Sequence, residues 1–435
     1  MKRLVLGTIC IIFLITAYSQ APLAQLEGTV SSSIIKSSSL SSLVSTQVDT
    51  GFIFLGRDSE PPHLLRLELL DLPSGKRITS SLSIGLGLSH YSEADMRQSP
   101  DGKWIGVKVG SQLFVVDSAL QNHIIVPLEA ELRSWTWSPD SSSIAILLGA
   151  DDHNPSLYSF NLESFYLERL DIVRRLGVHK AVRSMAWSPD GSKIILFSSD
   201  TGKLMYLVDI LANSIEQLPK EEMCGGAIGT VKWSPDGQWI ATHFPSWGGR
   251  QGAYSRLCAY NLAEKTFFPI EHSINKSNPV WNLDSQSLYF VINEDDDGDG
   301  KLTSHLMHFD TVDRQTSKVR TLPTDHAVST AREVIGLVPD GHSLFLNLTP
   351  TSQLGSRIGI INLEETTRPE RVISIPGEID KSAWLGDDLV VFIREQGTTE
   401  KLGRFYRVNL QTGIITPVSD LMPEQEWELF IQPKE

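Results

Sequence analysis

The chain has 435 residues, 41% hydrophobic and 21% charged, with 32 Gly and 22 Pro. That is globular composition with enough apolar material for a core, and it fits two or three domains or one large repeat domain. Lysine and arginine total 38 against 52 acidic residues, a net charge of -14, which argues against a binder of nucleic-acid backbone. The 3 cysteines are too few for a disulfide scaffold.

Residues 1–19 read as an export leader. Lys2 and Arg3 form a positive start, Leu4 to Ala17 is an almost wholly apolar run, and Ala17-Tyr18-Ser19 offers small residues before a cut at Gln20. The run is short for a membrane-spanning helix, which needs about 20 residues. The expectation is an exported protein, periplasmic or extracellular, with no membrane span after processing; an uncleaved anchor is the alternative. Thr8 and Ile9 stand before Cys10 where a lipoprotein signal needs small residues, and Cys10 lies inside the apolar run. Residues 20–50 are Ser-rich, without helical period, and read as a flexible spacer.

From residue 51 onward the chain repeats itself. Trp187-Ser-Pro-Asp-Gly191 and Trp233-Ser-Pro-Asp-Gly237 each lead into an apolar strand, as does Trp137-Ser-Pro-Asp140. Ser99-Pro-Asp-Gly102 has Gln98 in the tryptophan place. Looser copies are Trp281-Asn-Leu-Asp284, Leu337-Val-Pro-Asp-Gly341 and Trp384-Leu-Gly-Asp387. Serine, proline, aspartate and glycine in this order make a tight hairpin turn, and the period-two alternation around it marks strands. The tryptophan stands where a wide side chain fills the gap between sheets.

A second periodic signal is a strand ending in Asp or Asn: Asp71, Asp117, Asn161, Asp209, Asn261, Asp310, Asn362 and Asn409. Eight such strands accompany seven turn motifs. The unit is four strands in about 40 to 50 residues, which is a propeller blade. The first unit begins directly with a second-strand sequence, Gly51-Phe-Ile-Phe-Leu-Gly56, and the chain ends with Trp427-Glu-Leu-Phe-Ile431. The expectation is an all-β chain forming a single propeller over residues 51–432. Its four-stranded antiparallel blades number eight, with the C-terminal strand closing the ring. Seven blades with residues 51–85 as an outer strap is the alternative.

On these motifs the chain resembles the TolB-like propeller family, over about residues 51 to 431. The units with Trp137, Trp187 and Trp233 carry the resemblance most closely. It implies the fold and a scaffold habit, not an activity.

The sharpest local signal for chemistry is Asn293-Glu-Asp-Asp-Asp-Gly-Asp-Gly-Lys-Leu-Thr303. Asp295, Asp297 and Asp299 have calcium-loop spacing, Gly300 takes the turn position, Lys301 offers a carbonyl, and Thr303 stands ninth. The twelfth residue is Leu306 rather than glutamate, so this is not an EF-hand. Calcium as a cofactor and a solvated acidic hairpin remain the two readings. Cys224 and Cys258 belong to one repeat unit; a bridge requires the loop bearing Cys224 to fold over, and two buried free thiols are the alternative. The eleven histidines are scattered, and His305 and His308 face opposite sides of a strand. Trp247 lies in a Gly-rich loop and is a candidate partner contact. No hydrolase, phosphate-loop or Cys-x-x-Cys motif occurs. Only Arg97 and Lys232 supply bases near the turns, with Thr136, Ala186, Val280 and Ala383 at equivalent inner positions. The expectation is a non-catalytic binding or scaffold propeller of the cell envelope. Its partner would be a protein, a peptide or a polysaccharide. A propeller lyase or glycan-active hydrolase with its site at the channel is the rival.

Overall fold

A computed structural model describes residues 51–57, 65–71, 77–84, 95–149, 156–170, 182–198, 205–219, 230–245, 255–270, 279–294, 303–322, 334–338, 341–348, 356–365, 371–385, 388–394, 402–419, 422–423 and 428–431. The chain divides into two units, Met1–Thr46 and Gln47–Glu435. The leader, the spacer and Trp427 lie outside the described residues. Those described form strands and turns, with no helix among them.

The first sheet contains Gly51–Arg57 (β1), Leu65–Asp71 (β2) and Arg77–Ile84 (β3). Seven blades of four consecutive strands follow. Asp95–Gln98, Trp104–Val109, Gln112–Asp117 and His123–Ile125 are β4 to β7. Leu132–Trp137, Ser143–Leu148, Ser156–Asn161 and Tyr166–Leu170 are β8 to β11. Val182–Trp187, Lys193–Ser198, Met205–Asp209 and Ser214–Gln217 are β12 to β15. Thr230–Trp233, Trp239–Pro245, Ser255–Asn261 and Thr266–Pro269 are β16 to β19. Val280–Trp281, Ser287–Glu294, Thr303–Asp310 and Thr316–Thr321 are β20 to β23. Val334–Leu337, Ser343–Leu348, Ser356–Asn362 and Arg371–Ile375 are β24 to β27. Glu378–Leu385, Asp388–Arg394, Leu402–Asn409 and Ile415–Pro417 are β28 to β31, with Met422–Pro423 (β32) paired to β30. Glu428–Ile431 (β33) pairs antiparallel with β1, from Gly51 opposite Ile431 to Phe54 opposite Glu428.

Each blade is antiparallel in simple meander order. Side chains alternate between its two faces, so each second strand supplies both neighbouring seams. In β9, Ile144, Ile146 and Leu148 pack with Leu113 and Val115 of the preceding blade. The intervening Ala145 and Leu147 pack with Met185 and Leu196 of the following one. This is why these strands read as nearly continuous apolar runs. First strands of neighbouring blades also touch, β8 with β12, β12 with β16 and β20 with β24, and β33 touches β4.

The motif tryptophans fill the seams. Trp137 packs against Leu113 and Val115, and Trp281 against Trp239 and Ala259, each across to the preceding blade. Three of them also donate an indole N–H to a first-strand carbonyl there: Trp137 to Arg97 at 2.9 Å, Trp233 to Ala186 at 3.2 Å and Trp281 to Lys232 at 3.1 Å. The accepting residue always precedes the tryptophan position of its own blade. Trp187 is the exception among the motif tryptophans whose side chains are described, since its buried indole nitrogen has no hydrogen-bond partner.

Candidate functional site: the turn face

Antiparallel order places the first-to-second and third-to-fourth turns of every blade at the same end. The Ser-Pro-Asp-Gly turns and the Asp/Asn turns therefore share one face. In the first of these, Gly102 N–H donates to Ser99 O at 2.9 Å, closing the turn. The buried Ser99 hydroxyl donates to Asp101 Oδ1 at 2.7 Å and accepts from Trp104 N–H at 3.0 Å. Asp101 Oδ1 accepts in turn from Lys103 N–H at 3.2 Å. The same serine-to-aspartate bond measures 2.6 Å at Ser138–Asp140 and 2.5 Å at both Ser188–Asp190 and Ser234–Asp236. The sequence signals the turn; the closed loop of bonds through its carboxylate is visible only in three dimensions.

The fourth turn residue is left-handed, with φ of 74° at Gly102 and 71° at Gly191. Serine holds that conformation at Ser141 and Ser285, with φ of 60° and 61°. Both serines have a task there. Ser141 Oγ accepts the N–H of Asp101, and Ser285 Oγ that of Asp236, each at 2.9 Å and from the preceding blade.

In each of the seven blades from β4 to β31 the terminal Asp or Asn of the third strand caps the next turn. Asp117 Oδ1 accepts from Gln121 N–H, Asn161 Oδ1 from Glu163 and Ser164 N–H, and Asp310 Oδ1 from Val312 N–H. Both residue types serve because the turn needs only a short side-chain oxygen. The outer parts of adjacent blades are joined by ion pairs: Lys265 with Glu216 of β15 at 2.6 Å, and Arg314 with Glu264. The Arg314 guanidinium also lies over the Phe268 ring.

These bonds fix the electrostatics. The Ser188 hydroxyl and Ser192 N–H hold Asp190 down at about 2 against the effect of burial. The Ser138 hydroxyl likewise lowers Asp140. Burial pushes Asp101 up, but the Ser99 hydroxyl and Lys103 N–H together outweigh it and leave it lowered. Asp101, Asp140 and Asp190 therefore stay ionised across the physiological range. Among them stand large apolar side chains in the open: Leu211 is 86% exposed, Val312 74%, Leu283 64% and Ile414 60%. Leu211 and Val312 occupy the same turn position, two residues past the capping aspartate, where other blades carry Ala119, Glu163 or Gln411.

The family model for eukaryotic translation initiation factor eIF2A matches residues 100–259. A solved structure of a eukaryotic initiation factor is similar at 13% identity, covering 89% of this chain and 99% of its own, with a TM-score of 0.50. The dihydro-heme d1 dehydrogenase NirN is similar at 11% identity, covering 88% of this chain and 75% of its own, with a TM-score of 0.53. A putative TolB from Agrobacterium tumefaciens is 16% identical over 63% of this chain and 89% of its own, with a TM-score of 0.35. The chain spans only 39% of the tricorn protease, which also matches. No curated protein matches. At these identities the likenesses show a β-propeller and nothing of its activity.

The other expected site residues are dispersed. Asp295, Asp297, Asp299 and Lys301 lie outside the described residues, as do Trp247 and Cys224. Thr303 opens β22 opposite Glu294, so the acidic segment joins β21 to β22. No group of three or more metal-capable side chains occurs among the described residues. His305 is buried with Nδ1 at 3.1 Å from Thr321 Oγ1, while His308 Nε2 meets Ser287 Oγ at 3.1 Å. Burial lowers the His308 pKa. Arg97 pairs with Asp95 at 2.8 Å and donates to Trp135 O at 2.7 Å, tying two first strands together. Val280 packs into a seam with Tyr289 and Leu344. One ionic cluster gave no signal in the sequence: buried Asp388 accepts from Arg407 at 2.5 Å and from Asn409 at 2.8 Å. No helix among the described residues is long and apolar enough to cross a membrane.

Proposed function

We propose that this chain is a non-catalytic binding propeller of the cell envelope, exported by its N-terminal leader, which presents the turn face to a protein or peptide. The observation that carries this reading is the pairing of fixed carboxylates with exposed Leu211, Leu283 and Val312 on one rigid face. Each motif aspartate described above is engaged by its own serine and backbone, which makes it a structural group rather than a general acid or base. Arg97 is engaged by Asp95 and Trp135 in the same way. The net charge of -14 favours a basic partner and disfavours an anionic polymer.

In the same reading the ring has eight blades, β1 to β3 being completed by β33. The pairing of β33 with β1 and its contact with β4 support this closure. Membership of the TolB-like group is supported by the three close copies of the turn motif, at Trp137, Trp187 and Trp233. The acidic segment 295–303 is a calcium loop, supported by its spacing. Trp247 is a further partner contact, supported by its Gly-rich surroundings.

A pull-down from envelope extract tests the function. Wild-type protein is expected to retain a basic protein that Leu211→Glu with Val312→Glu loses at unchanged melting temperature. Turnover in a screen of glycans and peptides, abolished by Arg97→Ala or Lys232→Ala, would replace binding with the lyase or hydrolase reading.

A further inference from the structure

Cys258 is fully buried and disulfide-bonded. The chain has 3 cysteines, so the second sulfur within it belongs to Cys10 or Cys224. The setting of Cys258 decides between them. In the sheet register it lies opposite Thr242 of β17, which lies opposite Val231 of the first strand β16. Val231 is therefore two strand spacings away, about 10 Å. Cys258 faces the preceding blade and shares one apolar cluster with Met205 and Leu218. Leu218 is still tied to that blade, its N–H donating to Met205 O at 2.9 Å. The connection between β15 and β16 thus leaves from the cluster that contains Cys258. It returns at Thr230, one residue before the row that contains Cys258. Cys224 is six residues from either end, and six extended residues span about 20 Å. Cys10 lies within the apolar run of the leader, a segment read as removed on export.

We infer that Cys224 is the partner of Cys258, so that a covalent bond ties the β15–β16 connection to β18. Formation is a thiol–disulfide exchange. One thiolate attacks the disulfide of a donor such as an oxidoreductase or glutathione disulfide. The second cysteine then displaces the donor from the mixed disulfide, and the donor departs as two thiols. The chain is made for an oxidising compartment, and this rests on its cysteines rather than on its leader or its turn face.

Peptide mapping of the intact protein tests the inference. Free thiols are blocked with iodoacetamide before tryptic digestion without reductant. The expected product is Glu221–Lys232 linked to Leu257–Lys265, separating into two peptides on reduction. Alkylated Cys258, Cys258 linked to Cys10, or Cys258 linked to a second copy would each overturn it. Thermal melts give a second reading. Reductant should lower the wild-type melting temperature by about 3–6 °C and leave Cys224→Ser unmoved. An equal drop in Cys224→Ser would also overturn the assignment; should that variant fail to fold, the peptide map alone decides.

Discussion

The indole N–H of Trp137 reaches the carbonyl of Arg97, 40 residues earlier and one blade away. The link is repeated at Trp233 and Trp281 and missing at Trp187. A motif that reads as local turn chemistry is thus also an inter-blade tie. Trp137→Phe removes both aromatic area and a bond, and leaves the Arg97 carbonyl without that donor. A loss of about 2–3 kcal/mol is expected. Trp187→Phe removes area and a buried donor that has no partner, so its cost should be smaller by about 1 kcal/mol. Urea unfolding of both variants makes the comparison. Equal losses would mean that the bond contributes nothing beyond packing.

Gly106 illustrates a constraint of another kind. A Cβ there would sit 2.4 Å from two ring carbons of Trp135, which is buried against the β5 strand. The ring has no room to retreat, since the Arg97 guanidinium lies 5.0 Å from its centroid and Trp137 meets it edge-on at 6.2 Å. Gly106→Ala is expected to cost about 2–3 kcal/mol through overpacking. Trp135→Phe alone should also destabilise, but it removes the clashing carbons. The double variant should therefore be more stable than the sum of the singles predicts, by about 1 kcal/mol or more. Strict additivity in thermal melts would show that the glycine is not held by the ring.

Acid should find the turns. Asp190 sits at about 2 in the folded chain against an ordinary 3.8, and Asp140 and Asp101 are lowered too. A lowered carboxylate contributes stability above its unfolded pKa and loses it as pH falls through its folded value. The melting temperature should therefore be nearly level with respect to these groups down to about pH 4, then drop toward pH 2. Asp190→Asn should melt lower at pH 7 and show a shallower acid drop. Parallel curves for the two proteins would show that Asp190 adds nothing to pH-dependent stability.

The propeller was legible because its signals are local and repeated. Ser99 to Asp101 and its copies specify a turn by themselves, and Asp117, Asn161 and their equivalents specify a second one. The contacts that join blades are not local, and single residues carry them without a pattern. Ser141 looks like a lapse from glycine until its hydroxyl is seen to hold Asp101 of the blade before. Arg97 reads as a candidate channel base, yet its guanidinium is spent on Asp95 and Trp135. Asp388 follows a degenerate turn, and nothing near it in sequence announces Arg407 as its partner. Exposure is equally hidden, because Leu211 and Val312 have the composition of core residues and stand in solvent.

The acidic segment offers the most direct chemical test. Glu294 and Thr303 face each other as the last paired residues of β21 and β22, and the eight residues that connect them in sequence include four aspartates. Those carboxylates repel one another unless a cation or water screens them. If the loop binds calcium, the folded state gains free energy with each increase in calcium above the dissociation constant. Melting temperature should then rise with calcium from micromolar to millimolar concentration. Asp297→Ala with Asp299→Ala should remove that rise. The same variant should melt at or above the wild type when calcium is chelated, because it carries fewer repelling charges. Magnesium at equal concentration separates binding from screening, since it prefers a strict octahedral site and keeps its waters. Equal rises with calcium and magnesium, or no rise with either, would leave the segment a solvated acidic hairpin.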